Sequence, residues 1–124
     1  MPDPRAPLSP AERIICALDV PALEDAMRLV DSLEGSIRWF KIGMELFTRE
    51  GPSVVQALAG RGKRIFLDLK LHDIPNTVAR AVRRARDLDV ELLTLHATGG
   101  RPMMEAAAEA AGDDLTLLGV TVLT

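Results

Sequence analysis

The stretch Ile65-Phe66-Leu67-Asp68-Leu69-Lys70-Leu71-His72-Asp73-Ile74-Pro75-Asn76-Thr77-Val78 passes from an apolar strand, through a polar corner, into a helix. Ile65-Phe66-Leu67 is a short β-rich run. Val78, Ala81, Val82, Ala85 and Leu88 then recur at helical spacing, and Pro75 stands in the first turn, where proline is favoured. Arg80, Arg83, Arg84 and Asp87 take the opposite, solvated face. Strand side chains two apart share a face, so Phe66, Asp68 and Lys70 point one way and Ile65, Leu67 and Leu69 the other. If that first face looks into a core, a carboxylate and an ammonium are costly there unless paired. Fold stability does not ask for them, whereas catalysis does.

The same unit repeats on both sides. β-Rich runs start near Arg13, Trp39, Arg64, Leu92 and Leu115, about 25 residues apart, room for one strand, one helix and two short loops. Leu23, Ala26, Met27, Val30 and Leu33 form a second apolar helical stripe, and Pro21 and Pro102 mark expected helix starts. The Glu45–Arg61 segment is the weakest helix, because Gly51-Pro52 interrupts it; the pattern predicts a short helical turn, then a longer helix from about Pro52. Alternating βα units with strands this apolar imply a parallel sheet covered by helices. A complete (β/α)8 barrel has eight units and about 250 residues, whereas this chain has 124 residues, five expected strands and four helices, and ends on the apolar run Val120-Thr121-Val122-Leu123-Thr124. The reading is α/β: a flexible tail over 1–12, then the N-terminal half of a (β/α)8 TIM barrel over 13–124, truncated after strand five. An open flavodoxin-like sheet is the alternative.

Composition narrows the function classes. The net charge of −3 and pI near 5.3 provide no field that would draw the chain to nucleic acid or to an anionic membrane. The single cysteine, Cys16, cannot form an internal disulfide and sits in an apolar run, as a core residue rather than a nucleophile. Met1 to Glu12 holds four prolines and no apolar stretch of signal-peptide type. No stretch approaches the roughly 20 apolar residues of a membrane span. A cytoplasmic protein is expected.

Each strand ends in polar residues: Asp19, Lys41, Asp68 with Lys70, His96, and Thr121 to Thr124. Ligands of α/β folds sit at the carboxyl ends of the strands. Taken singly, these residues have structural readings. Asp19 and Asp73 are placed to cap helices, Lys41 to snorkel, and His96 to sit in a loop; Gly99-Gly100 reads as a turn before it reads as a phosphate cradle. Taken together, two carboxylates around one lysine beside a second strand-end lysine favour a site.

The segment Asp68-Leu69-Lys70-Leu71-His72-Asp73-Ile74-Pro75-Asn76-Thr77 resembles the D-x-K-x-x-D-I-P-x-T signature of the orotidine 5′-phosphate decarboxylase family. Ala17-Leu18-Asp19, Phe40-Lys41-Ile42-Gly43, Leu95-His96-Ala97-Thr98-Gly99-Gly100 with Met103-Met104, and Leu118-Gly119-Val120-Thr121-Val122-Leu123-Thr124 are similar to its other strands, in family order over about 13–124. The resemblance implies conversion of orotidine 5′-phosphate to UMP and CO2, a carboxy-lyase step of pyrimidine biosynthesis, with no metal and no organic cofactor. It implies catalytic roles for Lys41, Asp68, Lys70 and Asp73, with Lys70 protonating C6. Asp19, Lys41, Thr77 and Thr124 would bind substrate, and a homodimer would bring Asp73 and Thr77 into the neighbouring site. Because the family's phosphate-binding residues lie on later strands, the chain by itself is expected to be inactive. Two rival readings are a metal-dependent sugar-phosphate decarboxylase or aldolase of the same fold, and a non-catalytic half-barrel that only associates. The first typically has Ala-Gly where Ile74-Pro75 stands and a metal-binding glutamate where Lys41 stands; a cation there would repel Mg2+.

Overall fold

The structure is a computed structural model and describes residues 6–123. The stripe over Leu23–Leu33 builds α1 (Leu23–Ser32), with Ala26 and Val30 fully buried. The polar corner after Asp68 leads into α4 (Pro75–Asp87), whose Val78 and Val82 are likewise buried. Five strands lie between the helices: β1 (Ile15–Ala17), β2 (Trp39–Ile42), β3 (Arg64–Leu71), β4 (Leu92–His96) and β5 (Thr116–Val120). α5 (Arg101–Ala111) joins β4 to β5. Pro75 opens α4 as expected and Pro102 is the second residue of α5, whereas Pro21 lies two residues ahead of α1.

Between β2 and β3 the expected single helix with a short lead-in is two helices of similar length, α2 (Met44–Glu50) and α3 (Pro52–Ala59). Gly51, at φ +63, makes the break, a conformation that costs glycine little and other residues more. The described residues therefore hold five α-helices rather than four.

All pairings are parallel and the spatial order is β1-β2-β3-β4-β5. A flavodoxin-like sheet runs 2-1-3-4-5, so the open-sheet alternative is excluded and the chain has the half-barrel arrangement. Phe40, Ile42, Ile65, Leu67, Leu93 and Leu95 form the helix-facing layer and are at most 3% exposed. Burying side chains of this size contributes about 1.5–3 kcal/mol each, and this layer holds the strands in register. Trp39, Lys41, Phe66, Asp68, Leu92 and Thr94 alternate with it and line the other, concave face. At the two sheet edges that face is open: Ile15 is 41% and Leu118 is 38% exposed.

At the lower end of the strands, Pro10–Glu12 form a 3-10 turn tied to the sheet by the Arg38 N–H donating to Ala11 O and by an Arg38–Glu12 ion pair. Of the tail expected over 1–12, residues 1–5 lie outside the described residues, and Pro10–Glu12 form this turn. Above this turn the Arg64 guanidinium lies 4.2 Å from the Trp39 ring centroid and pairs with Glu91.

Candidate active site

Strand geometry gathers four charged side chains at the carboxyl ends of β1, β2 and β3. Ala17 pairs with Lys41 and Lys41 with Phe66, which puts Asp19, Lys41 and Asp68 on neighbouring strands at similar height. The Lys41 ammonium stands 3.2 Å from Asp68 Oδ2 and 3.7 Å from Asp19 Oδ1. Lys70 Nζ donates to both Asp68 oxygens at 2.9 Å. Asp68 is the best-shielded member, its side chain 11% exposed against 23% for Lys41 and 35% for Lys70. Burial by itself raises the Asp68 carboxyl. Hydrogen bonds from Lys70, Thr94 and Lys41, with the Lys41 charge, outweigh it and leave the group below the usual aspartate value.

Lys70 reaches its position by an irregularity. The β3–β4 register shifts between Leu67 and Leu71, and Lys70 has φ +49. A positive φ is uncommon outside glycine, and such conformations persist where the surroundings over-determine them. The simple alternation read from the sequence put Lys70 on the face of Asp68; the ammonium does arrive there, through a bulge rather than a regular strand.

The chemistry of this set is electrostatic. One shielded carboxylate, Asp68, stands between two ammonium groups, with a second carboxylate, Asp19, beside Lys41. Fixed ammonium groups of this kind can stabilise negative charge that develops beside them without reorganising.

The sequence profile of the Orotidine 5′-phosphate decarboxylase / HUMPS family matches residues 12–124. The chain belongs to that family. It is 49% identical over 121 residues to an orotidine 5′-phosphate decarboxylase of Carboxydothermus hydrogenoformans, covering 92% of this chain and 50% of the relative. It is 54% identical over 115 residues to that of Nitrosococcus oceani, covering 90% and 50%. The crystal structure of orotidine 5′-phosphate decarboxylase from Lactobacillus acidophilus superposes with a TM-score of 0.82 at 38% identity, covering 90% of this chain and 53% of that one. The chain thus spans about half the length of the curated relatives it matches.

Within this family member the expected residues fall into three groups. Asp19, Lys41, Asp68 and Lys70 meet. Asp73 and Thr77 do not join them: both are exposed, and the Asp73 carboxylate accepts from the adjacent Ile74 N–H at 2.7 Å. Thr124 lies outside the described residues. Neither Asp19 nor Asp73 caps a helix. The N-cap positions are Ala22 for α1 and Ile74 for α4, without side-chain cap hydrogen bonds, and the Leu23 N–H is taken by Glu50 Oε1 at 3.2 Å. His96 is half-buried, its ring tilted against that of His72 with centroids 5.4 Å apart. Gly99 and Gly100 are accounted for structurally. A Cβ on Gly99 would come within 2.2 Å of Met103 Sδ, and Gly100 turns into α5 at φ +92. Burial first, and then the Asp19 charge, raise the Cys16 thiol, which keeps it protonated and unreactive.

Sequence reasoning missed Thr94. It is 4% exposed, and its hydroxyl lies 2.8 Å from Asp68 Oδ1 and 3.0 Å from the Lys70 N. The available signal was a lone hydroxyl in Leu92-Leu93-Thr94-Leu95, two residues before His96 and so on the same face as the strand-end polar groups. Glu50 gave no such signal, because its partner Leu23 is 27 residues away.

Proposed function

We propose that the chain carries the catalytic charge set of an orotidine 5′-phosphate decarboxylase, acting in UMP formation. The observation that carries this reading is the Asp19–Lys41–Asp68–Lys70 array. Asp68 would stand against the substrate carboxylate and Lys70 would protonate C6 as CO2 departs. The Lys70 Nζ is already held against the Asp68 carboxylate at 2.9 Å, beside the site of the departing CO2. Repulsion between Asp68 and the substrate carboxylate is relieved in the transition state, which raises turnover rather than ground-state binding. Asp19 and Lys41 bind the ribose hydroxyls, and Thr124 adds a substrate contact. Asp73 and Thr77, exposed on the β3–α4 corner, serve the neighbouring site of a homodimer, which fits their separation from the array within one chain.

Lys41 favours this branch of the family over the metal-dependent one. Its ammonium and that of Lys70 already occupy the Asp68 oxygens, and two cations there repel a divalent ion. No described helix is long and apolar enough to cross a membrane; with the metabolic role, this supports a cytoplasmic setting. Grip on the substrate phosphate comes from the later strands of the barrel, and that remote binding energy supports the chemistry. The test is decarboxylation of orotidine 5′-phosphate, with and without EDTA, by the chain and by a form that supplies the remaining strands. Turnover by the completed barrel, unchanged by EDTA, is expected. A completed, folded barrel without turnover, or one whose turnover needs Mg2+, rejects the reading.

A further inference from the structure

We propose that Thr94 is a positioning residue for the Asp68–Lys70 pair, its one hydroxyl setting both the aspartate rotamer and the lysine backbone. The functional half of this inference rests on the decarboxylase reading; the geometric half does not. Phe66 pairs with Leu92 and Leu67 with Leu93, and just beyond them the Asp68 and Thr94 side chains meet on the concave face. Partner chemistry forces the direction of both hydrogen bonds. A carboxylate accepts and an amide donates, so the Thr94 proton goes to Asp68 Oδ1 at 2.8 Å, and its oxygen accepts the Lys70 N–H at 3.0 Å.

Each bond meets a need set by the bulge. Where the β3–β4 ladder breaks between Leu67 and Leu71, the Lys70 amide loses its strand partner, and an unpaired amide away from water is costly. Thr94 takes it, which holds the unusual φ of +49. That backbone turn is what returns the Lys70 ammonium to Asp68 at 2.9 Å. The other bond engages Asp68 Oδ1 and leaves Oδ2 turned to Lys41 at 3.2 Å. Carboxylate, lysine and second lysine thus take their relative places from one side chain that is itself locked by burial. Valine has nearly the same shape and neither hydrogen bond. Serine keeps both.

The experiment follows the Asp68 carboxyl carbon by NMR titration in the chain and in T94V, T94S and T94A. In parallel, kcat and KM for orotidine 5′-phosphate are measured in the form carrying the remaining strands. T94V is expected to move the Asp68 midpoint upward and to lower kcat about tenfold with little change in KM, the pattern of a lost transition-state geometry rather than lost binding. T94S is expected to match the parent on both readouts. If T94V fails to fold, comparison of T94A with T94S isolates the hydroxyl. Parent-like titration and kcat in T94V would overturn the proposal. So would a T94S as defective as T94V, since the effect would then lie in packing. An Asp68 midpoint that follows the hydroxyl in a completed barrel with no decarboxylase activity upholds the geometry and rejects the assigned reaction.

Discussion

Replacing Asp68 by asparagine removes the one charge that holds two ammonium groups together. Asp68 accepts from Lys70, from Lys41 and from the Thr94 hydroxyl. A hydrogen bond to a charged group contributes about 1.5–3 kcal/mol net. Lys70 is 35% exposed, so its share falls toward the surface-pair value of about 0–1 kcal/mol. Against the sum stands the cost of shielding the carboxylate from water. The direction of the Asp68 shift, downward despite burial, says that the partners outweigh that cost. We expect Asp68→Asn to lower stability by about 2 kcal/mol at pH 7, a drop in Tm on the order of 10 °C for a chain of this size. A carboxylate whose folded-state pKa is depressed stabilises the fold above its unfolded value, near 3.9, and that contribution is lost as the pH falls through the folded value. The gap between parent and variant should therefore be full at pH 7 and shrink progressively below about pH 4. Urea unfolding followed by circular dichroism, at one fixed protein concentration and at pH 7 and 3, measures both. A variant as stable as the parent at pH 7 would refute the reasoning. It would show that the cluster is held against its own desolvation cost by the rest of the fold.

Other expectations follow from single positions. In the completed barrel Lys70→Ala should reduce decarboxylation by about a thousandfold, within the range for loss of a general acid, while a UMP-like ligand still binds by calorimetry; near-normal turnover of the folded variant would remove Lys70 from the mechanism. Gly99→Ala drives a methyl into Met103, which is 1% exposed, and should cost about 1–3 kcal/mol by overpacking, read from the urea midpoint. The chain by itself should associate, because β1 and β5 are the edges of the described sheet and Ile15 and Leu118 are exposed beside them. Size-exclusion chromatography with light scattering would show mass above the monomer, and a clean monomer at high concentration would contradict this.

How much was legible in the sequence follows from the range of each physical cause. Periodicity is local, so the stripes of α1 and α4, the break at Gly51-Pro52 and the apolar strands could be read directly. So could the polar strand ends, because a charge closing an apolar run is itself a local signal. The similarity of Asp68 to Thr77 to a family signature then supplied roles that spacing cannot. Strand order lay beyond this reach. The same βα repeats serve a 1-2-3-4-5 or a 2-1-3-4-5 sheet, and which strands pair is decided by contacts between segments about 25 residues apart.

The sequence by itself determined the five strands, the helices outside the Met44–Ala59 stretch, the face that Asp68 occupies and the company of Lys41 and Lys70. Only the tertiary structure decided how these charges are held. The bulge at Lys70, the Thr94 hydroxyl bridging to Asp68, and Glu50 accepting from Leu23 each depend on two segments meeting in space. The physical reason is that a hydrogen bond needs its partner within about 3 Å. That distance is set by packing of the helix-facing layer, not by any residue's neighbours in sequence.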